Sequence, residues 1–79
     1  MKLTIISYGI AKEILPAHIH EVELTVQTIA ELKANLCTTY PALKKLRSIS
    51  FAVNEEYQDD TFALSENDEV VIIPPVAGG

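Results

Sequence analysis

Hydrophobic and polar positions alternate along three segments of the chain and merge into a continuous apolar run in a fourth. Residues 2–7 combine alternation with β-branched side chains, and residues 21–26 and 49–53 alternate more strictly. Each segment predicts a β-strand with one covered face. Residues 70–73 are all Val or Ile, which predicts a central strand with little exposure on either face.

One amphipathic helix is predicted between the second and third of these strands. Thr28 and Glu31 have capping-box spacing, because the Thr hydroxyl and the Glu carboxylate can bond amides that the first turn leaves unpaired. Spacings of three, four and four then place four residues on one helix face: Ile29, Leu32, Leu36 and Tyr40. Pro41 ends the run, and residues 42–46 predict a short second helix.

The remaining segments predict loops and turns. Residues 10–20 have no clear period and are interpreted as a loop. Residues 54–55 mark a reversal, since Asn tolerates the left-handed region, and Tyr57 begins a short return strand. Residues 59–60 and 67–68 mark further turns.

This order of elements predicts an α+β fold with one principal helix packed across a mixed sheet. The β-grasp, or ubiquitin-like, arrangement satisfies it, with the first and last strands parallel at the centre and joined by a crossover that includes the helix. We predict a β-grasp domain over residues 1–73 and an extended C-terminal Gly-Gly tail over 74–79. The sheet face away from the helix is left uncovered, and a partner protein is its expected cover if Val70 and Ile72 contribute to it.

Length, composition and charge narrow the function. A chain of 79 residues, 48% of them apolar, predicts one globular domain with little room for a deep pocket. No membrane-spanning run or signal-peptide pattern is visible, so a cytoplasmic location is expected. The net charge is −5, and no Lys or Arg follows residue 47. That acidic half argues against nucleic-acid binding; it can steer the protein to a basic partner or only maintain solubility.

The candidate reactive group lies in the tail, which consists of Pro74, Pro75, Val76, Ala77, Gly78 and Gly79. The two prolines favour an extended stem, and the glycines can enter a slot too narrow for a side chain. The tail would deliver the α-carboxylate of Gly79, which accepts a nucleophile once adenylation provides a leaving group. An ordinary frayed terminus is the alternative interpretation.

Other candidate sites carry weaker signals. His18 and His20 could lie on one side of an extended segment, but no third metal ligand is nearby, and an exposed pair without metal is expected. Cys37 is the only cysteine, so it forms no internal disulfide or Cys-x-x-Cys motif, and a packed or partly exposed thiol is expected. The sequence has no nucleophile–base pair or phosphate-binding glycine loop, which argues against a free-standing enzyme.

Three segments, residues 51–56, 67–73 and 74–79, resemble the small, sulfur-carrying subunit of molybdopterin synthase, the MoaD family. The Asp-Glu-Val run leading into Pro-Pro-Val-x-Gly-Gly is the specific signal. Tyr8-Gly9 and Lys12-Glu13 are similar to the family's aromatic-small and Arg-Glu pairs. Lys replaces the usual Arg, which removes a fork-type contact, and Asn67 replaces a Gly in the left-handed turn.

The resemblance implies a carrier cycle. An activating enzyme similar to the ubiquitin-activating class would adenylate Gly79 with ATP, and a sulfur donor protein would convert the adenylate to a thiocarboxylate. The tail would then enter the large subunit of molybdopterin synthase, in a heterotetramer, and give its sulfur to cyclic pyranopterin monophosphate. The carrier itself would bind no cofactor or metal and catalyse nothing alone. Tyr8 and Ile72 are the implied contacts with the partner outside the tail.

Two kinds of alternative remain open from the sequence. The first is a sulfur carrier for thiamine biosynthesis or tRNA thiolation, although the Pro-Pro-Val stem favours molybdopterin. The second is a non-covalent β-grasp interaction module, or a protein modifier joined to lysines through Gly79.

Overall fold

The computed structural model describes residues 1–46 and 48–75, so the predictions made for Val76, Ala77, Gly78 and Gly79 lie outside the described residues. The elements in chain order are β1 Lys2–Ser7, α1 Gly9–Ile14, β2 Ile19–Glu23, α2 Ile29–Thr39, a 3-10 helix Pro41–Lys45, β3 Ser50–Val53, β4 Glu56–Gln58 and β5 Glu69–Ile73.

The five strands form one mixed sheet in the order β2-β1-β5-β3-β4. β1 and β5 are parallel neighbours at the centre, and the other three pairings are antiparallel. A parallel pair needs a long crossover, and α2 lies within the connection between these two strands. The predicted β-grasp arrangement is therefore confirmed.

The core lies between one sheet face and α2. Alternate strand residues meet the helix stripe there, and the fully covered side chains include Leu3, Ile5, Val70, Ile72, Ile29 and Leu32, each 0% exposed. Burial of each such side chain stabilises the fold by about 1.5–3 kcal/mol. The α2 cap is as predicted in part: Glu31 N donates to Thr28 Oγ1 at 3.2 Å, while the Glu31 carboxylate accepts from Gln27 N at 3.0 Å.

Two predicted segments differ from the structure. Residues 10–20 are not simply a loop, because they contain most of α1; a six-residue helix is too short to display a period, and it is held by burial of Ala11 and Leu15. β2 begins earlier than predicted and ends at Glu23, since Ile19 and His20 pair with β1.

The predicted turns are confirmed at the backbone level. Asn54 and Asn67 have φ values of 50° and 68°. The first turn connects β3 to β4, and the second leads into β5. No helix within residues 1–46 and 48–75 is long and apolar enough to cross a membrane.

Candidate functional site

The sheet face opposite α2 carries an apolar row that crosses all five strands. Successive strand residues point to opposite faces, so the neighbours of the core residues project to this open face. The strand register connects Ile19 to Ile6, Ile6 to Val71, Val71 to Ala52, and Ala52 to Tyr57. We call these five residues the cross-sheet row.

Exposure within the cross-sheet row is concentrated at its two ends. Ile19 is 57% exposed and Tyr57 is 72% exposed, whereas Ile6 and Ala52 at 8% and 7% are covered by their neighbours. Val71 is half-buried. Large apolar side chains at both edges of an otherwise uncovered face are typical of a protein-binding surface.

Acidic residues border the cross-sheet row on one side. The register places Glu21 and Glu69 on either side of Thr4, and all three side chains belong to the open face. Lys2 Nζ approaches Glu21 Oε2 at 4.0 Å, an exposed ion pair that contributes little. This border therefore favours a partner with basic residues around an apolar centre.

The tail leaves the sheet at the opposite border. β5 ends at Ile73, which pairs with Ser50 on β3, and the chain continues into Pro74 and Pro75, both half-buried. Gly9, the first residue of α1, has φ +57°, and a Cβ built on it would lie 3.4 Å from Pro74 Cγ. The base of the tail thus packs against the start of α1.

Tyr8 stands next to this exit and is held from one side. Its ring lies edge-on to His18, with 4.9 Å between ring centroids, and it remains 50% exposed. His18 Nδ1 lies 2.6 Å from the carbonyl oxygen of Ser7, and Ser7 Oγ donates to the carbonyl of Ala17 at 3.2 Å. These contacts tie the end of β1 to the segment that precedes β2.

An open depression of about 550 Å³ lies at the same end of the sheet, on its β3–β4 side, and sequence reasoning did not identify it. Its lining includes Ser50, Tyr57, Asp59 and Thr61. Asp59 Oδ1 accepts from Thr61 Oγ1 at 2.6 Å and from Thr61 N at 2.9 Å. The bond from the Thr61 hydroxyl has the larger effect and the bond from its amide the smaller, and together they hold the pKa of Asp59 below its ordinary value of 3.8. The Asp59 carboxylate is therefore anionic at neutral pH.

The structure corrects the placement of Ile72 and Val70. Both are 0% exposed and face α2, because they occupy the alternate positions of β5 that point into the core. Their neighbours Val71 and Ile73 occupy the open face instead. The proposed surface contact of Ile72 is therefore not available in this fold, whereas Tyr8 lies where a partner can reach it.

The remaining candidate residues, two histidines and one cysteine, are all half-buried. His18 and His20 are half-buried, not exposed as expected, and both ring nitrogens of His20 are buried without a hydrogen-bond partner among the described residues. Residues 1–46 and 48–75 contain no group of three or more His, Cys, Asp or Glu that could hold a metal ion. Cys37 is half-buried and packs against the core, as predicted.

Comparison with known proteins gives one family and a consistent set of relatives. Residues 6–79 match the ThiS family. The molybdopterin synthase sulfur carrier subunit of Caenorhabditis briggsae is 30% identical over 83 aligned positions, which cover 100% of this chain and 99% of that protein. The corresponding subunit of Arabidopsis thaliana is 42% identical over 45 residues, covering 56% of this chain; the chain spans about half, 47%, of that relative's length.

Solved structures confirm the fold. The small archaeal modifier protein SAMP1 from Haloferax volcanii superposes with a TM-score of 0.80 at 20% identity, covering 100% of both chains. A chain from the Helicobacter pylori complex of subunits 1 and 2 of molybdopterin-converting factor gives 0.68 at 22% identity, also covering 100% of both chains. At these identities the likeness concerns the β-grasp fold.

Proposed function

Because the chain belongs to the ThiS family and resembles a sulfur carrier subunit over its whole length, we propose that it is the sulfur carrier of a molybdopterin synthase. The full-length similarity to the Caenorhabditis briggsae subunit is the observation that carries this proposal. The geometry supports it, since the central strand β5 runs directly into the Pro74–Pro75 stem at the edge of an uncovered sheet face.

The proposed chemistry takes place on the carboxyl group of Gly79, which must be free. Attack of the carboxylate on the α-phosphate of ATP releases pyrophosphate and gives an acyl-adenylate. The persulfide of a sulfur donor protein then attacks the acyl carbon and AMP leaves, and a second thiol cleaves the resulting acyl disulfide to give a thiocarboxylate and a disulfide. In the large subunit the thiocarboxylate sulfur bonds to cyclic pyranopterin monophosphate, and water hydrolyses the resulting thioester, which returns the carrier as a carboxylate. We assign the acid–base groups for these steps to the partner enzymes.

The open sheet face is the proposed docking surface for the large subunit. A partner placed on the cross-sheet row would cover the apolar side chains of Ile19 and Tyr57 and would meet the tail as it leaves β5. A complex of two molybdopterin-converting factor subunits exists in Helicobacter pylori. For this chain, the acidic border predicts a basic rim on the partner and an association rate that falls as salt rises.

Intact-mass measurement tests the carrier proposal. The protein is incubated with ATP, an adenylating enzyme of the ubiquitin-activating class and a sulfur source, and the product is digested to locate the change. We expect the gain for sulfur replacing one oxygen, located at Gly79. A chain extended beyond Gly79 is the matched control, which should keep its fold and stay unmodified. An unchanged mass, with the adenylating enzyme active on another carrier, refutes the proposal.

The pathway is tested with the charged protein. Thiocarboxylated carrier mixed with the large subunit and cyclic pyranopterin monophosphate should yield a dithiolene-containing pterin. Transfer only to a thiamine precursor or to tRNA would assign the carrier to another pathway. A ladder of lysine conjugates, in place of a complex with one larger subunit, would assign it as a modifier.

A further inference from the structure

We infer that Gly9 is a positioning residue for the tail: its left-handed backbone turns the chain from β1 into α1, and the contact of Pro74 with this turn sets the direction in which the chain leaves β5. This inference rests on the proposed function, because a direction matters only if the tail must enter a partner's active site. It assigns a role to a residue that the carrier chemistry itself does not use.

Gly9 has a backbone conformation that favours glycine. Its φ of +57° lies in the left-handed region, which a residue with a side chain adopts at a cost. The preceding Tyr8 is extended, at φ −129° and ψ 162°, and α1 begins directly at Gly9. The chain therefore turns sharply from the end of β1 into α1, and the turn places α1 beside the end of β5.

Gly9 and Pro74 are in close contact. A Cβ at Gly9 would lie 3.4 Å from Pro74 Cγ, at the close edge of ordinary van der Waals contact. A methyl group at this position would therefore touch the proline ring without displacing it, so the effect of a side chain at Gly9 comes from the strained φ. Pro74 is the first residue after β5 and has a fixed φ, so a shift of the turn beneath its ring would change the direction in which the chain leaves the strand.

Hydrogen bonds and burial hold the chain just before Gly9 in place. Ser7 is 0% exposed, pairs with Ile72 of β5, and is held by Ala17 and His18 through its hydroxyl and carbonyl groups. The residue before Tyr8 and Gly9 is therefore fixed on both sides. A rigid support for the stem leaves the direction of exit defined, and small errors in placing a reacting group can cost about a hundredfold in rate.

The test compares four thiocarboxylated proteins made by semisynthesis: wild type, Gly9→Ala, Pro74→Ala and Thr28→Ala. Thr28→Ala is the matched control, because it removes the α2 cap on the covered side of the sheet and lowers stability without touching the tail. Sulfur transfer is measured in a single turnover at saturating large subunit, and the dissociation constant of each complex is measured separately. A nuclear Overhauser contact between the Gly9 α-protons and the Pro74 ring protons reports the packing directly.

We expect transfer from Gly9→Ala and Pro74→Ala to be slower by about tenfold at saturation, with the dissociation constants changed much less. Thr28→Ala should transfer at the wild-type rate. Pro74→Ala keeps the test valid if Gly9→Ala fails to fold. The inference is overturned, and the proposed function is left standing, by wild-type rates in both Gly9→Ala and Pro74→Ala, by an equal loss in Thr28→Ala, or by the absence of the Overhauser contact in the wild type. Absence of transfer from the wild type overturns the proposed function as well.

Discussion

Substituting the adjacent residues Ile72 and Ile73 by Ala should separate folding from partner binding. The two side chains are identical and belong to the same central strand, but they point to opposite faces of the sheet. Ile72 is 0% exposed and packs in the core, whereas Ile73 is half-buried on the open face beside the tail. One strand therefore offers a matched pair of variants.

The expected magnitudes follow from burial. Truncating a fully buried Ile to Ala costs about 2–5 kcal/mol. A domain of this length has a total unfolding free energy of about 4–12 kcal/mol. Ile72→Ala should therefore remove a large part of the stability and lower Tm by about 8–40 °C. Ile73→Ala should cost about 1 kcal/mol or less, because part of its surface is already in water.

Urea denaturation followed by circular dichroism measures the first quantity, and calorimetric titration with the large subunit measures the second. Ile73→Ala should weaken the complex at temperatures where it is fully folded, and Ile72→Ala should bind normally wherever it is folded. Equal losses of stability in the two variants, or a binding defect in folded Ile72→Ala, would show that the assignment of the two faces is incorrect.

Three further predictions concern the turns and the acidic border. Glu55 has φ 74°, so Glu55→Gly should relieve backbone strain of about 1–2 kcal/mol. Part of this gain is lost because Gly has a larger conformational entropy in the unfolded state, and the expected net stabilisation is about 0.5–1 kcal/mol. Glu56→Gly, within β4, should instead destabilise the fold in the same urea titration. The pKa of Asp59 is lowered in the folded state, so Asp59 contributes stability that is present above its ordinary pKa of 3.8 and is lost as pH falls through the lower folded value. Thr61→Val removes the hydroxyl bond to Asp59 and should reduce this loss of stability in urea titrations at acid pH. An unchanged dependence of stability on pH would contradict this prediction. Glu69→Gln should reduce the salt dependence of the association rate with a basic-rimmed large subunit in stopped-flow measurements, and an unchanged slope would show that the border does not steer binding.

The fold could be predicted because its local signals agree with one another. The strand alternation, the Thr28 cap and the spacing of the helix stripe are each decided by neighbouring residues. They recur in the structure, except that β2 is shifted to Ile19–Glu23, the Glu31 carboxylate bonds Gln27 N, and Tyr40 lies just beyond the end of α2. The turns at Asn54 and Asn67 could be predicted for the same reason, because each depends on one residue that tolerates the left-handed region.

The site was harder to predict because it depends on register and on long-range packing. The run at residues 70–73 is apolar at every position, so the sequence does not reveal which side chains face the helix, and Ile72 was placed on the wrong face. The cross-sheet row joins five strands and emerges only from their pairing. α1 was missed because it has six residues and only one of them, Ala11, is fully buried, which is too few to produce a helical period.

In the proposed function, β5 would combine docking and delivery in one small domain. Hydrogen bonds to β1 and β3 fix its backbone on both edges, so its end is a stable origin for the tail. Its inward side chains anchor the fold, and its outward side chains, Val71 and Ile73, lie on the face that a partner would cover. A partner that grips this face therefore holds the tail at a fixed distance from its own surface. Docking on the open face and placement of Gly79 are then expected to be coupled through a single strand, which requires no separate hinge or catalytic residue in the carrier.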